Sequence, residues 1–279
     1  MRQESFSIDR TADLPWYTEG PVVDHNGNIY FTTLTGGKIM RIEAVNGRIE
    51  EWARGIKPNG QFILPNGHHL VCDSGNASVS RYDAYGRLLG YDLFHHCAGH
   101  EIYVPNDLVA DHAGGVYFTD SIRETGKLCY YAPDGIQRII ATNLDFPNGV
   151  ALSPDSKYLL VAESYQNRIL YFSIGDDGIA GERWEVFVDL PTNTDPNGYN
   201  LPDGIRFRED GTLWIAHYGM QAIQVVDAGG VWTRSIAVDF PLPSNLCLLN
   251  DSLVVTGGYS EPGPGGVQWL REGPDKESG

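Results

Sequence analysis

Six oxygen-bearing side chains recur in one shared context along the chain: Glu19, Asn59, Asn106, Asn148, Asp203 and Asn245. Each opens a short apolar run. Five of them stand seven positions before the first residue of a turn signal, at Asn26-Gly27, Asn66-Gly67, Ala113-Gly114, Asp155-Ser156 and Asp210-Gly211. A lone Asn-Gly is ordinarily only a turn. Six residues of one chemical kind in a common phase are a set that a fold can bring to one place. Two are carboxylates and four are amides, with no thiolate or imidazole among them. Such a set suits a hard cation, calcium first and magnesium or manganese less well. Two inward carboxylates balance a divalent charge, and without a cation they would repel and resist desolvation.

The elements that carry these residues follow from the repeat. The steps between them are 40, 47, 42, 55 and 42 residues. After each turn a second apolar run follows, and short alternating runs around Asn-Gly or Asp-Gly are β-hairpins. The sixth unit turns at Asn250-Asp251. Further hairpins complete the units: Lys38–Ile42 and 48–53 flank Asn46-Gly47, and 128–131 and 136–141 flank Asp134-Gly135. Four strands per unit at this period predict an all-β, six-bladed β-propeller, with one domain over 1–279. The last unit lacks a fourth strand after 265–270. The alternating stretch 4–8 is expected to supply it and close the ring, which removes free sheet edges. No long stretch keeps the ~3.6-residue apolar period of a helix. The first strand of each blade lies innermost, so the six opening residues form a ring at one mouth of the central channel.

Composition narrows the partners. The net charge of −16 repels phosphate backbones, which argues against nucleic acid. No run is long enough to span a membrane. Cys72, Cys97, Cys129 and Cys247 form no CxxC or zinc pattern and read as reduced, buried thiols. The opening residues lack the apolar core of a signal peptide. A cytoplasmic location is expected, or a periplasmic one if a leader has been removed.

With these motifs in view, the chain resembles the SMP-30/gluconolactonase family, which also resembles squid-type diisopropyl fluorophosphatase and staphylococcal Drp35 lactonase. The resemblance rests on Glu19-Gly20-Pro21, Val104-Pro105-Asn106-Asp107, Phe146-Pro147-Asn148-Gly149 and Leu201-Pro202-Asp203-Gly204, and it covers nearly the whole chain. It implies one catalytic divalent ion on Glu19, Asn106, Asn148 and Asp203, calcium by preference, with magnesium, manganese or zinc as alternatives. It also implies that Asp203 doubles as the base, and that the substrate is a small lactone or other ester. Animal sugar-lactonases carry an arginine two residues before the asparagine matched by Asn106. Val104 stands there, which points toward the bacterial lactonase branch or a different ester.

Two other readings use the same ring: hydrolysis of phosphotriesters or other esters, and a non-catalytic binding propeller around a structural ion. The second strands return to the same mouth and end in Asp73, Asp120, Glu163 and His217, each of which either faces the pocket or is satisfied by loop backbone. Asn59, Tyr103, Asn106, Asp120 and His217 are the expected substrate contacts. Two insertions, 94–105 and 190–202, each precede an opening residue and are expected over the mouth, where loops select substrates.

Overall fold

Strand residues that are buried on both faces need neighbours on both faces, and a closed ring of sheets supplies them. The computed structural model describes residues 6–195, 198–249 and 252–273. They form six four-stranded antiparallel blades, plus a small hairpin of His96–Cys97 with His100–Glu101. The inner strands are Glu19–Val23, Pro58–Ile63, Pro105–Ala110, Pro147–Leu152, Leu201–Phe207 and Leu242–Leu249. Among the described residues the only helical elements are two short 3-10 turns, Leu34–Gly36 and Ser164–Gln166.

The hairpin turns away from the mouth follow from one local device. Asp24 Oδ1 accepts from the backbone N–H groups of Asn26 and Asn28 at 2.9 Å, and Asp111 Oδ1 does the same for Ala113 and Gly115 at 2.8 Å. Gly27 and Gly114 take the left-handed conformation that such tight reversals require. The turn expected at Asn250-Asp251 lies outside the described residues.

The core lies between blades. Six apolar clusters fill the six seams, one for each pair of neighbours. The four cysteines are free and buried in them. The sixth blade is closed by the N-terminal strand, as expected. That strand is longer than the sequence pattern showed: Phe6–Leu14 pairs antiparallel with Gly265–Glu272, from Phe6 opposite Glu272 to Leu14 opposite Gly265. A bulge between Ile8 and Arg10 breaks the alternation and hides the second half of the strand from a period-2 search. Residues 4 and 5 of the expected strand lie outside the described residues.

Candidate metal and active site

Each inner strand carries one extra residue against its neighbour at the ring. The register slips between Glu19 and Val22, Pro58 and Gln61, Pro105 and Leu108, Pro147 and Val150, Pro202 and Ile205, and Pro243 and Asn245. Six bulges at equivalent places bend the strands at the mouth, and a bulge re-aims the side chain it carries. Proline before the bulge is tolerated because the inner strand has an unpaired edge toward the channel. The following glycines set the ring's diameter. A Cβ on Gly60 would stand 2.6 Å from the Asn106 carbonyl oxygen, and one on Gly149 2.3 Å from that of Asp203. Neighbouring blades therefore meet backbone to backbone. Hydroxyls lock the same seams: Thr32 donates to the Asn59 carbonyl at 2.9 Å, Thr119 to that of Asn148 at 2.7 Å, and Ser164 to that of Pro202 at 2.7 Å.

The six side chains expected in the ring are all buried, at 2–7 % exposure. Glu19 Oε2 accepts from the Gly20 N–H at 3.1 Å, and Asn148 Nδ2 donates to Ser164 Oγ at 3.3 Å. The amide oxygens of Asn59 and Asn148 are buried without a hydrogen-bond partner. In blade six the ring position falls to Ser244 and not to Asn245, because Pro243 and Leu246 bracket Ser244-Asn245 as Pro202 and Ile205 bracket Asp203-Gly204. Asn245 stands one residue further on, its oxygen accepting from the Leu246 N–H at 2.9 Å as that of Asp107 does from Leu108. Burial is the main force raising Glu19 and Asp203 above the usual carboxylate range; the negative charge of Asp107 adds to it at both, and that of Glu19 adds further at Asp203. Buried carboxylates that resist ionisation beside orphaned amide oxygens fit a hard divalent cation, which would satisfy both. Glu19, Asn148 and Asp203, with Asn106 on the intervening blade, are the side chains that would hold it. Among the described residues no group of three or more His, Cys, Asp and Glu side chains converges as a metal cluster; the ring offers two carboxylates and amides instead.

The second-strand ends have a different task from the one expected of them. Asp120 is fully buried; Oδ1 accepts from the N–H groups of Tyr103 and Val104 at 2.9 and 2.7 Å, and Oδ2 pairs with Lys127 Nζ at 3.0 Å. Asp73 binds the N–H groups of Ile56 and Lys57 at 2.7 and 2.9 Å, and Glu163 that of Asp145 at 2.8 Å. In three blades this carboxylate fastens the loop that delivers the ring residue of its own blade. His217 takes the place in blade five. It is fully buried, and its Nε2 lies 2.9 Å from Asn167 Oδ1 on the preceding blade. The Asn167 amide nitrogen donates to the carbonyls of Leu190 and Pro191, so its oxygen accepts from the imidazole. Asp120 is thus held by protein partners on both oxygens, whereas His217 is held through Nε2 alone and its Nδ1 is buried without a partner. Tyr103 is half exposed, with its ring 5.4 Å from Lys127 Nζ and its hydroxyl donating to Glu101.

The insertions differ as well. Cys97 is buried, its thiol 3.6 Å from the Tyr130 carbonyl, and Ala98 N–H donates to Gln137 Oε1 at 2.7 Å. The histidine-bearing hairpin is therefore pinned to the outer strands of blade three instead of covering the mouth. In the second insertion, Tyr199 packs on Tyr218 at 5.5 Å, and Tyr218 on Tyr17 at 6.4 Å. Tyr17 is buried with an unpartnered hydroxyl, and it lies within the field of Asp203 and Glu19. Sequence reasoning missed Tyr17 because it belongs to no repeat position. It also missed Asp107 and Arg206, a buried carboxylate paired at 3.1 Å with a partly exposed guanidinium; the available signal was an aspartate where four blades carry glycine after the ring residue.

The fold and the ring define a six-bladed propeller with an oxygen-lined site in its channel. A family model described as the SMP-30/Gluconolactonase/LRE-like region matches residues 17–258, and the chain belongs to that family. It is 27 % identical over 226 residues to a lactonase drp35 of Staphylococcus haemolyticus, a match covering 76 % of this chain and 66 % of that protein. The chain thus spans just under two thirds of that relative. A gluconolactonase from Xanthomonas campestris superimposes with a TM-score of 0.79 at 23 % identity, covering 94 % of this chain and 88 % of the other. Regucalcin of Agrobacterium tumefaciens, described as a calcium-binding protein, gives 0.74 at 18 % identity, covering 94 % and 93 %. At these identities the two structures speak to the fold alone.

Proposed function

We propose that the protein is a metal-dependent hydrolase that opens a small lactone ring at the channel mouth. The observation that carries this reading is the pairing of two buried, ionisation-resistant carboxylates with orphaned amide oxygens in one bulge-built ring, on a chain of the lactonase-containing family. A divalent ion bound there supplies Lewis acidity toward a carbonyl oxygen. Glu19 contributes charge, and Asn106 and Asn148 contribute neutral oxygens. Asp203 takes the proton of a water molecule as its oxygen bonds to the carbonyl carbon, then returns it to the ring oxygen as the acyl C–O bond breaks. Asn59, with its free amide oxygen, and Tyr17, with its free hydroxyl, are the groups left to orient the substrate.

A second reading draws on the burial of every ring side chain: an ion enclosed by protein and held for structure, in a binding propeller. Metal analysis followed by assays on aldonolactones, acyl lactones and phosphotriesters, with and without the metal found, separates the readings. Metal-dependent turnover of a lactone supports the proposal. Preferential turnover of a phosphotriester reassigns the substrate. A tightly held, non-exchanging ion with no turnover of any of the three supports the structural reading.

A further inference from the structure

The channel holds one more charged pair, and its position matters to the ring. Arg206 follows Asp203 by three residues on the inner strand of blade five, and Asp107 follows Asn106 on the inner strand of blade three. Blade four stands between them in the ring. The 3.1 Å contact of Arg206 Nη1 with Asp107 Oδ2 therefore crosses the channel and does not belong to a seam. Asp107 is 1 % exposed, and its other oxygen accepts from the Leu108 N–H at 2.9 Å. Arg206 Nη1 also donates to the Ile205 carbonyl at 2.7 Å. The pair is close enough to act on the ring: the charge of Asp107 bears on both Glu19 and Asp203, and that of Arg206 on Glu19.

The charges sum simply. Glu19, Asp203, Asp107 and Glu261 bring four negative charges to bear on the site and Arg206 one positive, a net of three negative. We infer that Arg206 is a specificity-determining residue: by crossing the channel to hold Asp107, it keeps the charge facing the cation one unit less negative and tunes the site to divalent over trivalent ions. The inference rests on the proposed cation site. Without Arg206, Asp107 becomes a further uncompensated carboxylate. Without the Asp107 charge, Arg206 is left unbalanced and the net falls to two negative. A unit charge several ångströms away, in an effective dielectric of about 20, changes the preference between a trivalent and a divalent ion by about tenfold or more.

The test measures calcium and terbium affinities by calorimetry, and thermal shifts with each ion, for the wild type, Arg206→Met, Asp107→Asn and the double variant. The ratio of terbium to calcium affinity should rise about tenfold or more in Arg206→Met and fall by a similar factor in Asp107→Asn. In the double variant, whose net charge returns to that of the wild type, it should come back near the wild-type value. Asp107→Asn and the double variant leave no buried carboxylate unpaired, so they carry the test even if Arg206→Met does not fold. A ratio that stays constant across the folded variants, in a wild type that binds calcium through Glu19 and Asp203, overturns this inference and leaves the cation site standing. A wild type that binds neither ion, or binds them equally after Glu19→Gln and Asp203→Asn, overturns the cation site and this inference with it.

Discussion

At the scale of single residues, Glu19 and Asp203 look alike in burial yet differ in the work proposed for them. Glu19→Gln removes one of the ring's two charges. Metal affinity should fall, and activity should return at high metal concentration. Asp203→Asn keeps an oxygen of nearly the same shape that cannot take a proton. Loss of a general base typically costs about 10²–10⁴-fold in rate, so turnover should stay low at saturating metal, with occupancy verified by calorimetry. Full recovery of Asp203→Asn would leave the aspartate a ligand only. Most of the ring was legible in the sequence because a fixed offset to a turn repeats five times; in blade six the offset fails and the pattern points to Asn245 where the register puts Ser244. Asp107 and Arg206 were not, because nothing local ties together partners 99 residues apart.

Two histidines make a second prediction at this scale. Burial drives both His69 and His217 down to about 4, against a weak opposing pull from Asp24 on the first and from the Asn200 backbone on the second. In the unfolded chain both return to about 6.5. The folded pKa lies below the unfolded one, so between these values the unfolded state binds more protons. The stability from keeping the rings neutral is complete above about pH 6.5 and is lost as pH falls toward 4. At full effect each loses about 3 kcal/mol. Urea midpoints should therefore drop between pH 6.5 and pH 5, before most carboxylates titrate, and His217→Gln should flatten that slope. An unchanged slope in the variant would mean that His217 is already accessible to protons in the fold.

At the scale of elements, the bulge is the device that turns a strand into part of a site. Hydrophobic alternation and turn residues revealed the hairpins, but a bulge leaves no separate mark in a single blade. The carboxylates that end the second strands were visible, yet their partners are backbone N–H groups, which sequence does not distinguish from a substrate. The 94–105 insertion is the clearest miss. Its histidines and tyrosine resemble a substrate-facing loop, whereas Cys97 and Ile102 bury themselves in the seam of blades two and three. Replacing the hairpin 96–101 with a short Gly-Ser link should lower the unfolding midpoint. Removing a buried apolar side chain commonly costs about 2–5 kcal/mol. Metal affinity and substrate preference should not move. A changed substrate preference at unchanged stability would put the hairpin back over the mouth.

At the scale of the whole molecule, the ring must be closed for its six oxygen donors to face one another, and closure depends on both ends of the chain. On the mouth side, Thr18 Oγ1 accepts from the Gly257 N–H at 3.0 Å, and Ser244 Oγ donates to the Thr18 carbonyl at 2.7 Å, so blades one and six are bolted beside Glu19. On the outside, the strand Phe6–Leu14 covers the edge of Gly265–Glu272. Ala12 and Leu14 pack on the seam with blade one. Phe6 lies edge-on to Trp214 of blade five at 5.4 Å, and the Arg10 guanidinium sits 3.8 Å over the Trp269 ring. Deleting residues 1–14 should cost on the order of 4 kcal/mol from the half-buried apolar side chains alone, roughly 10 °C in a chain of this size. It should also expose a long unpaired edge that promotes association. The bolt at Thr18 remains in that variant, so metal affinity per folded molecule should change much less than stability. Adding a synthetic peptide of residues 1–14 should restore the melting temperature in a concentration-dependent way, because binding to the folded form alone stabilises it by mass action. A truncated protein that melts with the wild type, or one that the peptide does not rescue, would show that the ring closes without its outer strand.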